Sequence, residues 1–146
     1  MKITDTIETV LRQKAFNKIL EISPDQTVRE ALALMAEYDV GALMVLDGGR
    51  LVGILSERDY ARKVILKHRS SSDTTVAEIM SAPPVTVAPD DTVRRCMELM
   101  TEGRFRHLPV VQGGRVVGML SIGDLVKAVI EDQRDQIEQL ERYIAG

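Results

Sequence analysis

Slid along itself by sixty-five positions, the chain matches itself: SPDQTVREALALMAEYDVGALMVLDGGRLVGILSERDY (residues 23–60) lies without a gap over APDDTVRRCMELMTEGRFRHLPVVQGGRVVGMLSIGDL (residues 88–125), and 18 of the 38 aligned residues are identical. In a chain of 146 residues this means two copies of one structural unit, so whatever fold one copy takes, the other takes too. A single unit of about 60 residues buries little apolar surface, and a small sheet on its own would leave a face bare. Two copies sharing a core resolve both problems.

Each copy reads the same way. A short apolar strand, Val85-Thr-Val87 in the second copy, precedes a Pro-Asp turn. Thr27 or Thr92 then opens a helix; in copy one Glu30, three residues on, completes a capping box. Val28, Ala31, Leu32 and Met35 recur along that helix at helical spacing, as do Val93, Cys96, Met97 and Met100 in copy two, and they are read as core filling. Two strands follow, joined by Gly48-Gly49 or Gly113-Gly114, paired glycines that accept the positive φ angles of a tight hairpin. These strands are largely apolar rather than alternating, which predicts a sheet covered on both faces. A last helix begins near Ser56 or Ser121. The expected fold is α+β: two tandem β-α-β-β-α repeats packed face to face by their small sheets, with N- and C-terminal helices. The boundaries read as an N-terminal helix over 1–15, repeat 1 over 16–66, a linker and short helix over 67–80, repeat 2 over 81–130 and a C-terminal helix over 131–146. Thr75 and Glu78 cap the short linker helix.

Composition then excludes several functions. Lys and Arg number 19 against 22 Asp and Glu, and the basic residues are scattered, so nucleic acid is not the expected partner. No apolar run approaches the roughly 20 residues that cross a bilayer, and the start lacks a signal-peptide core, so the expectation is a cytoplasmic protein without membrane contact. The single Cys96 allows no disulfide within the chain. His68, Cys96 and His107 show no metal-ligand spacing, and no metal site is expected.

The most specific feature is GILSERDYARKV (Gly53–Val64), echoed by GMLSIGDLVKAV (Gly118–Val129). Ser56 to Asp59 and Ser121 to Asp124 fit a capping box, in which the serine accepts from free helix amides and the acid reaches back. The same geometry suits a ligand. A helix start offers unpaired amides to a phosphate, an aspartate one turn in can accept two hydrogen bonds from a vicinal diol such as ribose, and a preceding glycine lets a ligand approach the backbone. Both readings stay open on the residues alone. Arg58, inside the first turn of copy one, is a candidate phosphate contact; Lys14 and Lys18 precede the first strand and could reach a ligand.

The Thr-Val-x-x-Ala/Cys-x-x-x-Met pattern, the His107-Leu-Pro-Val-Val111 strand and the doubled Gly-h-Leu-Ser-x-x-Asp together resemble the CBS domain family, over about residues 15 to 130. The resemblance implies a CBS pair, or Bateman module, which dimerises and binds adenine nucleotides or related adenosyl ligands, acting as a sensor rather than a catalyst. It also implies crossed sites: Ser56 and Asp59 facing Met80 and the Arg106-His107 pair, and Ser121 and Asp124 facing the segment before Pro24 with Gly41 and Ala42. On that assignment the Asp59 site gains a guanidinium and an imidazole and is expected to hold phosphate more tightly.

The function expected is thus a regulatory, energy- or redox-sensing protein that binds AMP, ADP, ATP or NAD, needs no catalytic cofactor, and changes arrangement to modulate a partner enzyme or transporter. A ligand-free structural or interaction module, and a binder of S-adenosylmethionine-type ligands, are the alternatives. No catalytic constellation is present that the repeat does not explain, and the chain is not expected to be an enzyme. In the tail, Ile130, Ile137 and Ile144 fall seven apart with Leu140 between them. That stripe predicts packing on a second subunit, as a homodimer, or on a matching stripe of Ile3, Ile7, Val10 and Leu11 in the first helix.

Overall fold

The computed structural model describes residues 5–14 and 18–145; Ile3 lies outside them. The chain divides into two compact units, one formed by Lys18–Val85 and the other by the chain on either side of it. We call them the first and second unit.

In the first unit, β1 (Glu21–Ile22) runs parallel to β2 (Ala42–Asp47), which pairs antiparallel with β3 (Arg50–Ser56). Helix α2 (Val28–Tyr38) lies between β1 and β2, and α3 (Glu57–Tyr60) leaves the end of β3 and continues as a π-helical turn over Ala61–Ile65. Val28, Ala31 and Met35 of α2 are buried with Leu43, Val45 and Leu55 of the sheet in one core. Four consecutive residues of β2 are buried, as an apolar strand covered on both faces requires.

The second unit repeats this plan. Helix α5 (Val93–Gly103) precedes the hairpin of β4 (His107–Gln112) and β5 (Arg115–Ser121), and α6 (Ile122–Ala145) follows. The expected strand Val85–Val87 is reduced to a single bridge between Val87 and Val110. Both hairpins turn on two glycines with positive φ, Gly48 and Gly49 at +57° and +84°, Gly113 and Gly114 at +59° and +78°. That geometry twists the turn in the sense the strands need. Each hairpin also carries its register shift at the same place, Val45/Leu46 and Val110/Val111. Helices α2 and α5 both end on a left-handed residue, Asp39 (φ 52°) and Arg104 (φ 55°), sixty-five apart.

The short helices depart from sequence order. Helix α1 (Ile7–Gln13) precedes repeat 1 but contributes Ile7 and Val10 to the core of repeat 2. Helix α4 (Val76–Ile79) precedes repeat 2 but contributes Val76 and Ile79 to the core of repeat 1. The same hydrogen bonds hold both. Val76 N–H donates to Gln26 O at 2.8 Å and Val28 N–H to Thr74 O at 2.9 Å, while Ile7 N–H donates to Asp91 O at 2.9 Å and Val93 N–H to Asp5 O at 3.0 Å. Thr75 N–H and hydroxyl both donate to the Glu78 carboxylate, at 2.7 and 3.0 Å, the expected cap of α4. At α2 the Thr27 hydroxyl accepts from Glu30 N–H at 3.1 Å, whereas Glu30 draws its carboxylate bonds from Gln26 Nε2 and the Thr27 hydroxyl.

The short helix expected within 67–80 is α4, which belongs to the first unit, and Ser81 bridges to Ile54 just beyond it. The last helix of repeat 2 and the C-terminal helix are one element, α6, because residues 124–145 contain neither Gly nor Pro to stop it. Only its start is buried, through Leu125 and Ala128; Ile137, Leu140 and Ile144 are exposed. The α1 face expected to receive this stripe is already committed, with Ile7 and Val10 buried in the second unit.

Leu43 and Leu108 hold equivalent, wholly buried places in the two cores. Leu43→Ala and Leu108→Ala are each expected to lose about 2–5 kcal/mol of unfolding free energy in urea titrations; a loss under about 1 kcal/mol for either would contradict equivalent, tightly packed cores.

Candidate functional site

Each repeat motif sits where a strand hands over to a helix. Ser56 ends β3, and its hydroxyl accepts from Asp59 N–H at 3.2 Å while its own N–H donates to Asp59 Oδ2 at 3.0 Å. Ser121 ends β5 and does the same with Asp124, at 3.1 and 2.8 Å. The capping box is therefore present in both copies, fixing each carboxylate in the first turn of its helix.

Around that shared frame the two aspartates differ. Asp59 Oδ2 also accepts the Ser56 hydroxyl at 3.0 Å, and its Oδ1 accepts the Ser81 hydroxyl at 3.0 Å and lies 3.1 Å from Lys63 Nζ. Lys63 is one helical turn on, and it also donates to Ile79 O at 2.9 Å. Asp124 is paired instead with Lys14 Nζ, 2.9 Å from Oδ2, and Lys14 donates a second bond to Met119 O at 2.6 Å. Lys14 comes from the end of α1, more than a hundred residues away in sequence. No periodicity within the motif could have indicated it as the partner of Asp124. Lys63 was legible as an i,i+4 partner of Asp59 but not distinguishable from other surface charges.

The remaining candidates fall beside one motif or the other. In the first unit Ala42 pairs with Ser56 across β2 and β3, and Gly41 O accepts from Glu57 N–H at 3.0 Å. Ala42 is fully buried, so it offers a ligand no side-chain surface; Arg58 is exposed on the first turn of α3. Met80 lies against Gly53: a Cβ there would meet its Sδ at 2.7 Å. In the second unit Leu11 covers Gly118 at 3.0 Å in the same way. The room over both glycines, read from the sequence as space for a ligand, is thus filled by side chains of α1 and of the residue after α4. Lys18, the other early lysine, bonds the Tyr38 hydroxyl at 2.8 Å and lies over its ring.

His107 pairs with Ser121 across β4 and β5, and Arg106 O accepts from Ile122 N–H at 2.8 Å, so both residues flank the Asp124 motif within their own unit. Burial pushes the His107 imidazole below its ordinary value, Lys14 and Arg106 push the same way, and Asp124 opposes them. Cys96 is buried in the second core, and burial raises its thiol to about 11, which leaves it unreactive at neutral pH. Among the described residues no group of three or more His, Cys, Asp or Glu could hold a metal ion, and no helix is long and apolar enough to cross a membrane.

Residues 15–66 and 76–131 each match the CBS domain family. The chain belongs to that family, as a tandem CBS pair. Among proteins it resembles is the mitochondrial CBS domain-containing protein CBSX3 of Arabidopsis thaliana, 42% identical over 149 residues, 97% of this chain and 72% of that one. A longer Arabidopsis relative, CBSCBSPB5, is 34% identical over 133 residues, and the chain spans 24% of its length. Among solved structures, a CBS-domain protein of Burkholderia ambifaria MC40-6 assigned to signal transduction superposes with a TM-score of 0.85 at 49% identity, covering 88% of this chain and 96% of that one. CBS pairs of this kind are typically regulatory rather than catalytic.

Because the unfolded imidazole binds protons more tightly than the folded His107, stability is fully present above about pH 6.5 and is lost as pH falls below it. The melting temperature is expected to fall between pH 7.5 and pH 5.5, and His107→Gln to fall less. Equal drops in the two proteins would show that His107 does not drive the change.

Proposed function

We propose that this chain is a regulatory module that binds an adenine nucleotide, AMP, ADP, ATP or NAD, and through that binding reports energy or redox state to a partner enzyme or transporter. The motif carries the reading, in that a serine holds an aspartate at a helix start with a lysine beside the carboxylate, as at Ser121, Asp124 and Lys14. An aspartate can accept from a ribose diol, and a lysine suits phosphate. The likeness to a protein assigned to signal transduction supports a signalling role. Binding that favours one conformation shifts the affinity for a partner by linkage, with no chemistry on the ligand. In a thermal-shift panel, a nucleotide at a hundred times its Kd adds about 2.7 kcal/mol, which for a chain of this size raises the melting temperature by roughly 5–10 °C. A flat response to AMP, ADP, ATP, NAD and S-adenosylmethionine alike would sink the reading in favour of a structural or interaction module; a response to S-adenosylmethionine alone would move the ligand class.

The same module is proposed to act as a homodimer, which the exposed Ile137, Leu140 and Ile144 of α6 support. Light scattering should give twice the 16.2 kDa chain mass, and Ile137→Glu with Leu140→Glu should give the chain mass. A variant that stays dimeric would place the interface elsewhere.

A further inference from the structure

The two motifs are alike in sequence, and the bonds around them separate their roles. Asp59 accepts from four donors spread over both its oxygens: the Ser56 N–H and hydroxyl on Oδ2, and the Ser81 hydroxyl and Lys63 on Oδ1. Its side chain is 10% exposed. A carboxylate has about four lone-pair positions, so a diol could bind Asp59 only by displacing one of these donors.

At Asp124 the corresponding donors are missing. The position of Lys63 is taken by Ala128, buried in the core. The place that Ser81 holds after α4 is held, by the matching hydrogen bonds of α1, by Arg12, which instead pairs with Glu8 at 2.7 Å. The described bonds of Asp124 both fall on Oδ2, from Ser121 N–H and Lys14, and its side chain is 20% exposed, twice the value at Asp59. Lys14 pairs with it, and His107, across the hairpin from Ser121, is an imidazole on which Lys14, Arg106 and Asp124 all act.

We propose, resting on the nucleotide reading above, that the chain takes one phosphorylated ribose per polypeptide, at Asp124 with Lys14, and that Asp59 is a structural carboxylate closed by Ser81 and Lys63. This reverses the expectation from sequence that the Asp59 site holds phosphate more tightly. Asp124 Oδ1 accepts from the ribose diol. Lys14 neutralises the carboxylate, so that an incoming phosphate is not repelled by it, and has a proton left to donate to that phosphate.

The test is isothermal titration of the full chain with AMP and, separately, with ribose 5-phosphate. The expected result is one equivalent per chain, at least tenfold weaker in Asp124→Asn and in Lys14→Met, and restored to within about threefold by Lys14→Arg. Asp59→Asn should lower the melting temperature yet leave affinity within about twofold. Lys63→Met, on a half-exposed side chain, should likewise leave affinity within about twofold. Two equivalents per chain, or greater loss from the Asp59 and Lys63 variants than from the Asp124 and Lys14 variants, would overturn the assignment. Binding of ribose 5-phosphate without AMP would remove the adenine reading while the variants still decide between the aspartates. Binding of neither would overturn both.

Discussion

Four backbone hydrogen bonds, two in each unit, set the architecture: those by which the segment before each repeat clips onto the helix start of the other repeat. They join Thr74–Val76 to Gln26–Val28 in the first unit, and Asp5–Ile7 to Asp91–Val93 in the second. Each clip delivers a short apolar helix into a core that the repeat alone could not close. Without α4 the first core lacks Val76 and Ile79; without α1 the second lacks Ile7 and Val10. A repeat of this size is marginal unless something covers its bare face, and the borrowed helix does so. The second unit is therefore assembled from two stretches of chain separated by the whole of the first, and cannot be complete until both are present.

The same clips determine the electrostatics of the motifs. Because α4 docks on repeat 1, Ser81 arrives beside Asp59. Because α1 docks on repeat 2 and runs further, to Gln13, Lys14 arrives beside Asp124. Two motifs that began as copies have thus acquired different neighbours: one carboxylate sits among donors on both oxygens, the other keeps its described bonds on one. The glycine midway along each motif strand serves the same docking, since a side chain at Gly53 or Gly118 would strike Met80 or Leu11. What looked in the sequence like an opening for a ligand is an opening for a neighbouring helix.

Much of the fold was legible beforehand, for a physical reason: a repeat displays each local signal twice. The Gly-Gly hairpins, the Thr27 and Thr92 helix starts and the Ser-x-x-Asp caps are short-range devices, written in residues at most three or four apart, and all appear where the pattern placed them. The misreadings were of long-range matters. Val85–Val87 contains strand-forming residues but makes only one bridge, since pairing needs a neighbour with free backbone groups along its length. The C-terminal helix was cut at residue 131 only because the repeat ended there, whereas nothing in the backbone chemistry of α6 ends near that point. The Ile7 and Val10 stripe marks a helix face, but which core it enters depends on connectivity.

The sequence by itself determined the doubled unit, its local elements, the family and the pair of capped aspartates, because each rests on residues close along the chain or on the match between copies. Only the tertiary structure decided which helix completes which core, and which lysine and serine stand beside which aspartate. Lys14 and Asp124 are brought to 2.9 Å by the docking of α1, across more than a hundred residues. A Coulomb contact of that kind depends on distance in space, and separation along the chain carries no trace of it.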